Sequence, residues 1–84
     1  MVEHSKGKED VKINTVFILI NTIPKQEYDV YNKLKLDSDF FEIEPLFGEF
    51  DLIAKFKGRN IYDRGKKISK KLRKIDGVID TKLI

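Results

Sequence analysis

Four carboxylates, Glu42, Glu44, Glu49 and Asp51, cluster in the sequence around Gly48. Oxygen ligands grouped in this way suit a hard cation such as Mg²⁺. An acid beside a glycine turn also suits ligand binding more generally, with the acid as an anion and the backbone N–H groups freed by the glycine as donors. Each residue also has a plain structural explanation. Glutamates protect an exposed sheet edge, glycine supplies positive φ, and Asp bonds nearby backbone groups. No nucleophile–base pair accompanies the cluster, and the chain has no phosphate-binding glycine loop. Cys is absent and the single His, His4, stands in a polar N-terminal stretch. A thiolate nucleophile is thereby excluded, and a zinc triad or a Ser-His-Asp site would need an excursion of that stretch. The residues point to binding rather than catalysis, with no cofactor.

The second chemical signal is charge. Arg64, Lys66, Lys67, Lys70, Lys71, Arg73 and Lys74 are seven bases with no acid among them. The chain holds 17 bases and 14 acids, so the remainder sets 10 bases against 14 acids. The positive excess lies in one segment. It serves either as a solvated helix face, favoured near a helix C-terminus, or as a surface for an anionic partner.

These residues need elements to position them. Residues 1–12 are polar and without periodicity, which predicts a flexible tail. A first strand runs from Ile13 to Ile20, with an unbroken apolar run from Val16. Such a run fits burial on both faces. Asn21-Thr22-Ile23-Pro24 ends it, and Pro24 suits the first position of a helix over 25–35. Val30 and Leu34 share that helix's inner face, with Tyr31 at its edge. A second strand spans Phe40 to Phe47. Phe41, Ile43 and Phe47 point one way along it, and Pro45 marks an edge or bulge. A hairpin at Gly48-Glu49 leads to a third strand, Phe50 to Lys57, with Phe50, Leu52, Ala54 and Phe56 on one face. Gly58 ends that strand and Asn60 suits a helix cap. Ile61, Gly65, Ile68, Leu72 and Ile75 form one helical stripe. Gly65 inside it implies close approach to the sheet, and Gly77 suits a left-handed C-cap. Val78 to Ile84 is the last strand.

The order strand-helix-strand-strand-helix-strand, with right-handed crossovers, predicts an α+β ferredoxin-like fold. Its four-stranded antiparallel sheet has order 4-1-3-2, with two helices on one face. At 84 residues one domain is all the length allows, over 13–84. A chain this size buries only about 60% of its unfolded surface, and self-association is expected. No apolar run approaches a membrane span and no signal peptide is visible, which predicts a soluble cytoplasmic protein.

Two segments resemble a known family. One is Val16-Phe17-Ile18-Leu19-Ile20, then Leu34, then Phe47-Gly48-Glu49-Phe50-Asp51-Leu52. The other is Ile68 through Leu72, then Ile75-Asp76-Gly77-Val78, Thr81 and Leu83-Ile84. Together they are similar to the effector-binding RAM domain of the Lrp/AsnC transcription regulators, over 15–84. The hairpin G-x-x-D and the helix-ending I-D-G-V carry the resemblance. Those regulators have an N-terminal helix-turn-helix, which twelve polar residues cannot form. The chain thus looks like a stand-alone form, and no direct sequence-specific DNA binding is expected.

The resemblance implies a dimer through the open sheet faces, a ring of dimers, and a free amino acid effector bound between dimers. Gly48, Glu49, Phe50 and Asp51 would form the ligand site, with Arg73 from the second helix. The alternative is an interaction module that pairs with full-length regulators and has no ligand of its own. RNA-recognition domains share the strand order, but their third-strand motif begins with a base and interleaves aromatics. Phe47-Gly48-Glu49-Phe50-Asp51 puts carboxylates there instead, which repel phosphate. The open face also argues for a dimer. Phe17 and Leu19 face away from Val16, Ile18 and Ile20, and two helices cover only one side of the sheet.

Overall fold

A computed structural model of the chain describes residues 14–58 and 61–84. The expected tail over 1–12 and the cap at Asn60 lie outside the described residues. Six elements follow in order: β1 (Asn14–Thr22), α1 (Glu27–Lys35), β2 (Phe40–Pro45), β3 (Leu52–Gly58), α2 (Ile61–Arg73) and β4 (Val78–Leu83). The strands form one sheet in the order β2-β3-β1-β4, and every neighbouring pair is antiparallel. This is the ferredoxin-like arrangement expected from the sequence.

Alternation along β1 sends Val16, Ile18, Ile20 and Thr22 into the core. Leu52, Ala54 and Phe56 of β3 join them, together with Val30 and Leu34 of α1 and Ile68 and Leu72 of α2. Phe40 meets Phe56 edge to face, with ring centroids 6.1 Å apart. Phe17, Leu19 and Ile53 lie on the opposite face and are only half-buried. Within one chain β1 is therefore buried on one side, not on both.

Three local expectations are corrected. In β2 the register shifts between Phe40 and Glu42, so Phe41 is the bulged residue. Phe40, Ile43 and Pro45 oppose the inward Phe56, Ala54 and Leu52, while Phe41 is exposed. A bulge reverses the alternation on one side of it, so the inward aromatic is Phe40. Pro24 does not begin α1. Gln26 donates its N–H to the Ile23 carbonyl at 2.9 Å, closing a turn in which Lys25 has φ +74°. Proline preorganises such a turn at its second position, and the helix starts after it. The strands flanking Gly48 are shorter than expected, and residues 46–51 connect them without pairing as strands.

The two glycines singled out on α2 and after it are explained by space. A Cβ on Gly65 would stand 2.5 Å from Leu83 Cδ2 of β4, which confirms the close approach. Gly77 has φ +99°, and a Cβ there would meet Val30 Cγ2 at 2.8 Å and Gln26 Oε1 at 2.9 Å. Its carbonyl accepts the Ile23 N–H at 2.8 Å, so the end of α2 is tied to the turn before α1.

Candidate functional site

The hairpin connection is fastened at its base. Leu46 donates its N–H to the Asp51 carbonyl at 2.8 Å, closing the loop below Phe47-Gly48-Glu49-Phe50. Asp51 donates its own N–H to the Ile20 carbonyl at 2.9 Å. Thr22 donates back to Asp51 Oδ2, from its N–H at 2.8 Å and its hydroxyl at 3.3 Å. The β1–β3 pairing ends at Ile20–Leu52. The Asp51 side chain extends that ladder by one step, and it satisfies a Thr22 N–H that only 4% residue exposure leaves without water. Sequence reasoning missed Thr22, because the contact spans 29 residues and no local pattern announces it.

Above this base the loop tip faces solvent. Gly48 has φ +141°, a backbone region open to glycine. Glu49 is exposed, Phe50 is half-buried, and Phe47 is 98% exposed. The structure thus gathers Gly48, Glu49, Phe50 and Asp51 at one sheet end. It does not bring Arg73 to them. Arg73 donates from Nε to Thr81 Oγ1 at 3.3 Å and stands 3.5 Å from Asp80 Oδ1. Both partners are on β4, and β1 separates β4 from β3. Within one subunit Arg73 and Asp51 are on different sides of the central strand.

The other carboxylates are engaged elsewhere. Glu42 and Glu44 flank Lys55 at 3.3 and 3.5 Å on the open face. Among the described residues, no three His, Asp or Glu side chains converge to hold a metal ion.

Beside the hairpin base is an open cleft of about 280 Å³, lined by Glu27, Tyr28, Tyr31, Pro45 and Leu52. Pro45 and Leu52 are the register pair from which the loop departs. Tyr28 and Tyr31 are three residues apart on α1, a spacing that puts both on one helical face. That spacing was the available sequence signal for the cleft.

The basic segment is partly neutralised. Lys71 Nζ bridges Asp37 and Asp39 at 2.5 and 2.6 Å, and Arg64 reaches Asp39 at 3.4 Å. The hydrogen bond from Lys71, aided by Arg64, holds the Asp39 carboxyl below its usual range, against a smaller opposing effect of desolvation. The Lys71 ammonium is pushed up, chiefly by its bond to Asp37 and then by Asp39. These pairs pin α2 to the loop after α1.

No family profile and no curated protein sequence matches the chain. Solved structures do. FFRP-DM1 is 31% identical, with a TM-score of 0.72, over 83% of this chain and 93% of its own. A hypothetical protein from Pyrococcus horikoshii is 30% identical, with a TM-score of 0.71, over 87% of each chain. E. coli AsnC shares the fold at 19% identity and a TM-score of 0.73; all of this chain matches 56% of it.

Proposed function

The chain belongs to the Lrp/AsnC family, corresponding to its RAM domain, and we propose that it is a regulatory module that binds a free amino acid at the hairpin. Its setting is transcription control in the cytoplasm, and it is not an enzyme. The observation that carries the reading is the hairpin itself: an anion, Asp51, and a glycine-opened backbone stand together at the sheet end, fixed from below by β1. Asp51 would meet the ligand's ammonium group and loop N–H groups its carboxylate. The loop tip itself faces solvent, so a neighbouring copy completes the site. Within one subunit Arg73 is held by Thr81 and Asp80, so in this reading only that copy's Arg73 reaches the ligand.

Dimerisation through the open sheet face belongs to the same reading. Phe17, Leu19 and Ile53 are its apolar centre, and Lys55 with its two glutamates forms a polar margin. A second sheet packed on this face removes the apolar residues from water.

A specific observation favours a second reading, an interaction module without a ligand. Asp51 Oδ2 is already occupied by Thr22. Calorimetric titration of the free amino acids separates the two. The first reading predicts saturable heat with at least one amino acid, lost in Asp51→Asn, which removes the charge and keeps an acceptor for Thr22. Silence across the full panel would leave the interaction module as the better description.

A further inference from the structure

The outer face of α2 carries positive charge that the fold leaves unanswered. Ile68 and Leu72 are buried on the inner face, while Lys67, Lys70 and Lys74 are exposed. These lysines are three and four residues apart, a spacing that lines them along one helical face. Lys74 belongs to the turn that ends the helix, where its N–H bonds to the Lys71 carbonyl at 3.2 Å. The stripe from Lys67 to Lys74 is about 10 Å long at the rise of an α-helix. It stops at Asp63, an acid one turn before Lys67. The bases on its two flanks are engaged. Asp37 and Asp39 hold Lys71, Asp39 reaches Arg64, and Asp80 with Thr81 holds Arg73. Lys67, Lys70 and Lys74 have no acidic partner among the described residues. A helix macrodipole favours bases in the last turn, which accounts for Lys70 and Lys74 but not for Lys67 at mid-helix.

We propose that this stripe docks on the phosphate backbone of a nucleic-acid duplex, without reading its sequence. Duplex DNA carries one negative charge per about 1.7 Å of axis, so phosphates meet the stripe in any register. A protein partner fits less well. Interfaces between proteins are depleted in lysine and anchored by buried aromatic or apolar side chains, and the exposed residues from Asp63 to Lys74 include none. An unpaired strand also fits less well, because its bases need aromatic side chains to stack on. The half-buried face carrying Phe17 and Leu19 is on the other side of the sheet from α2, so sheet pairing leaves the lysines open. The contact uses no hairpin residue, and it stands or falls separately from amino acid binding.

Fluorescence anisotropy of labelled duplexes, titrated with the full chain across salt concentrations, tests the contact. Three phosphate contacts predict a slope of log affinity against log salt of about −2.7 on DNA, or about a 40-fold loss from about 50 to about 200 mM. The triple variant Lys67→Gln/Lys70→Gln/Lys74→Gln should lose that slope and bind at least about tenfold more weakly at low salt. All three positions are exposed, so folding is spared, and circular dichroism checks it. A second triple variant, Lys25→Gln/Lys33→Gln/Lys35→Gln, removes the same charge from exposed positions in and before α1 and should bind like the parent. Duplexes of unrelated sequence should bind equally. DNA and RNA duplexes are titrated in parallel to distinguish the two sources of phosphate, and binding that the first variant loses supports the proposal with either. A parent that binds neither duplex at low salt would overturn it. Equal weakening by both triple variants would also overturn it, since net charge rather than the stripe would then set the affinity. So would tighter binding of a single strand or of polyglutamate than of either duplex.

Discussion

Asp51 has one structural job and one proposed job, which a substitution can separate. Its carboxylate supports Thr22 from within the fold and stands at the proposed ligand site. Asp51→Ala removes the acceptor and strands a buried N–H, at a cost of about 1–3 kcal/mol. For a domain of this size each kcal/mol lowers Tm by about 4–8 °C, so a thermal melt should fall visibly. Asp51→Asn should melt close to the parent, since an amide oxygen still accepts from Thr22. A parent-like melt for Asp51→Ala would mean that water replaces the carboxylate. The hairpin G-x-x-D was legible in the sequence as a candidate site, and its residues do gather at one sheet end. The Thr22 bond was not, because the fold alone brings positions 22 and 51 together. Arg73 shows the opposite case: its type suited a carboxylate, but its neighbours Thr81 and Asp80 are on the far strand.

Among the elements, order and pairing were readable because periodicities of 2 and 3.6 were strong and Gly77 marked a stop. The phase of β2 was not readable. Phe40 and Phe41 are adjacent apolar residues, and only the bulge decides which one turns inward. Gly77 joins the end of α2 to the start of α1. Gly77→Ala must adopt φ +99° and displace Val30 or Gln26. A destabilisation of at least about 1–2 kcal/mol is expected, measured by urea unfolding. An unchanged midpoint would show that the turn relaxes. The Asp37–Asp39–Lys71 cluster ties the same helices together on another side. Asp39 is depressed when folded, so its contribution is present above the ordinary carboxylate pKa and is lost as pH falls through the lower folded value. Lys71 is raised, so its contribution holds below the ordinary lysine pKa and is lost as pH rises through the higher folded value. Asp39→Asn should flatten the acid limb of a stability–pH curve and change neutral stability by no more than about 1 kcal/mol, as for other exposed pairs. An acid limb identical to the parent's would place the sensitivity elsewhere.

At the scale of the whole molecule, the fold leaves work unfinished. Two helices cover one face of the sheet, while the other keeps Phe17, Leu19 and Ile53 half-buried and Phe41 exposed. The hairpin site has a floor but no roof, and Phe47 stands in water beside an unfilled cleft. Under the proposed self-association, another copy of the same chain would cover these surfaces. Leu19→Glu on the open face should weaken sheet pairing and lower the mass in solution, with circular dichroism unchanged because the core is on the other side. Ligand binding between copies would favour the larger assembly by mass action. The claim on which the rest depends is that this chain works only in company, and its mass in solution tests that most directly. Light scattering at micromolar concentration should return at least twice the 9.8 kDa of one chain. A value of 9.8 kDa, held as the concentration rises, would contradict the account.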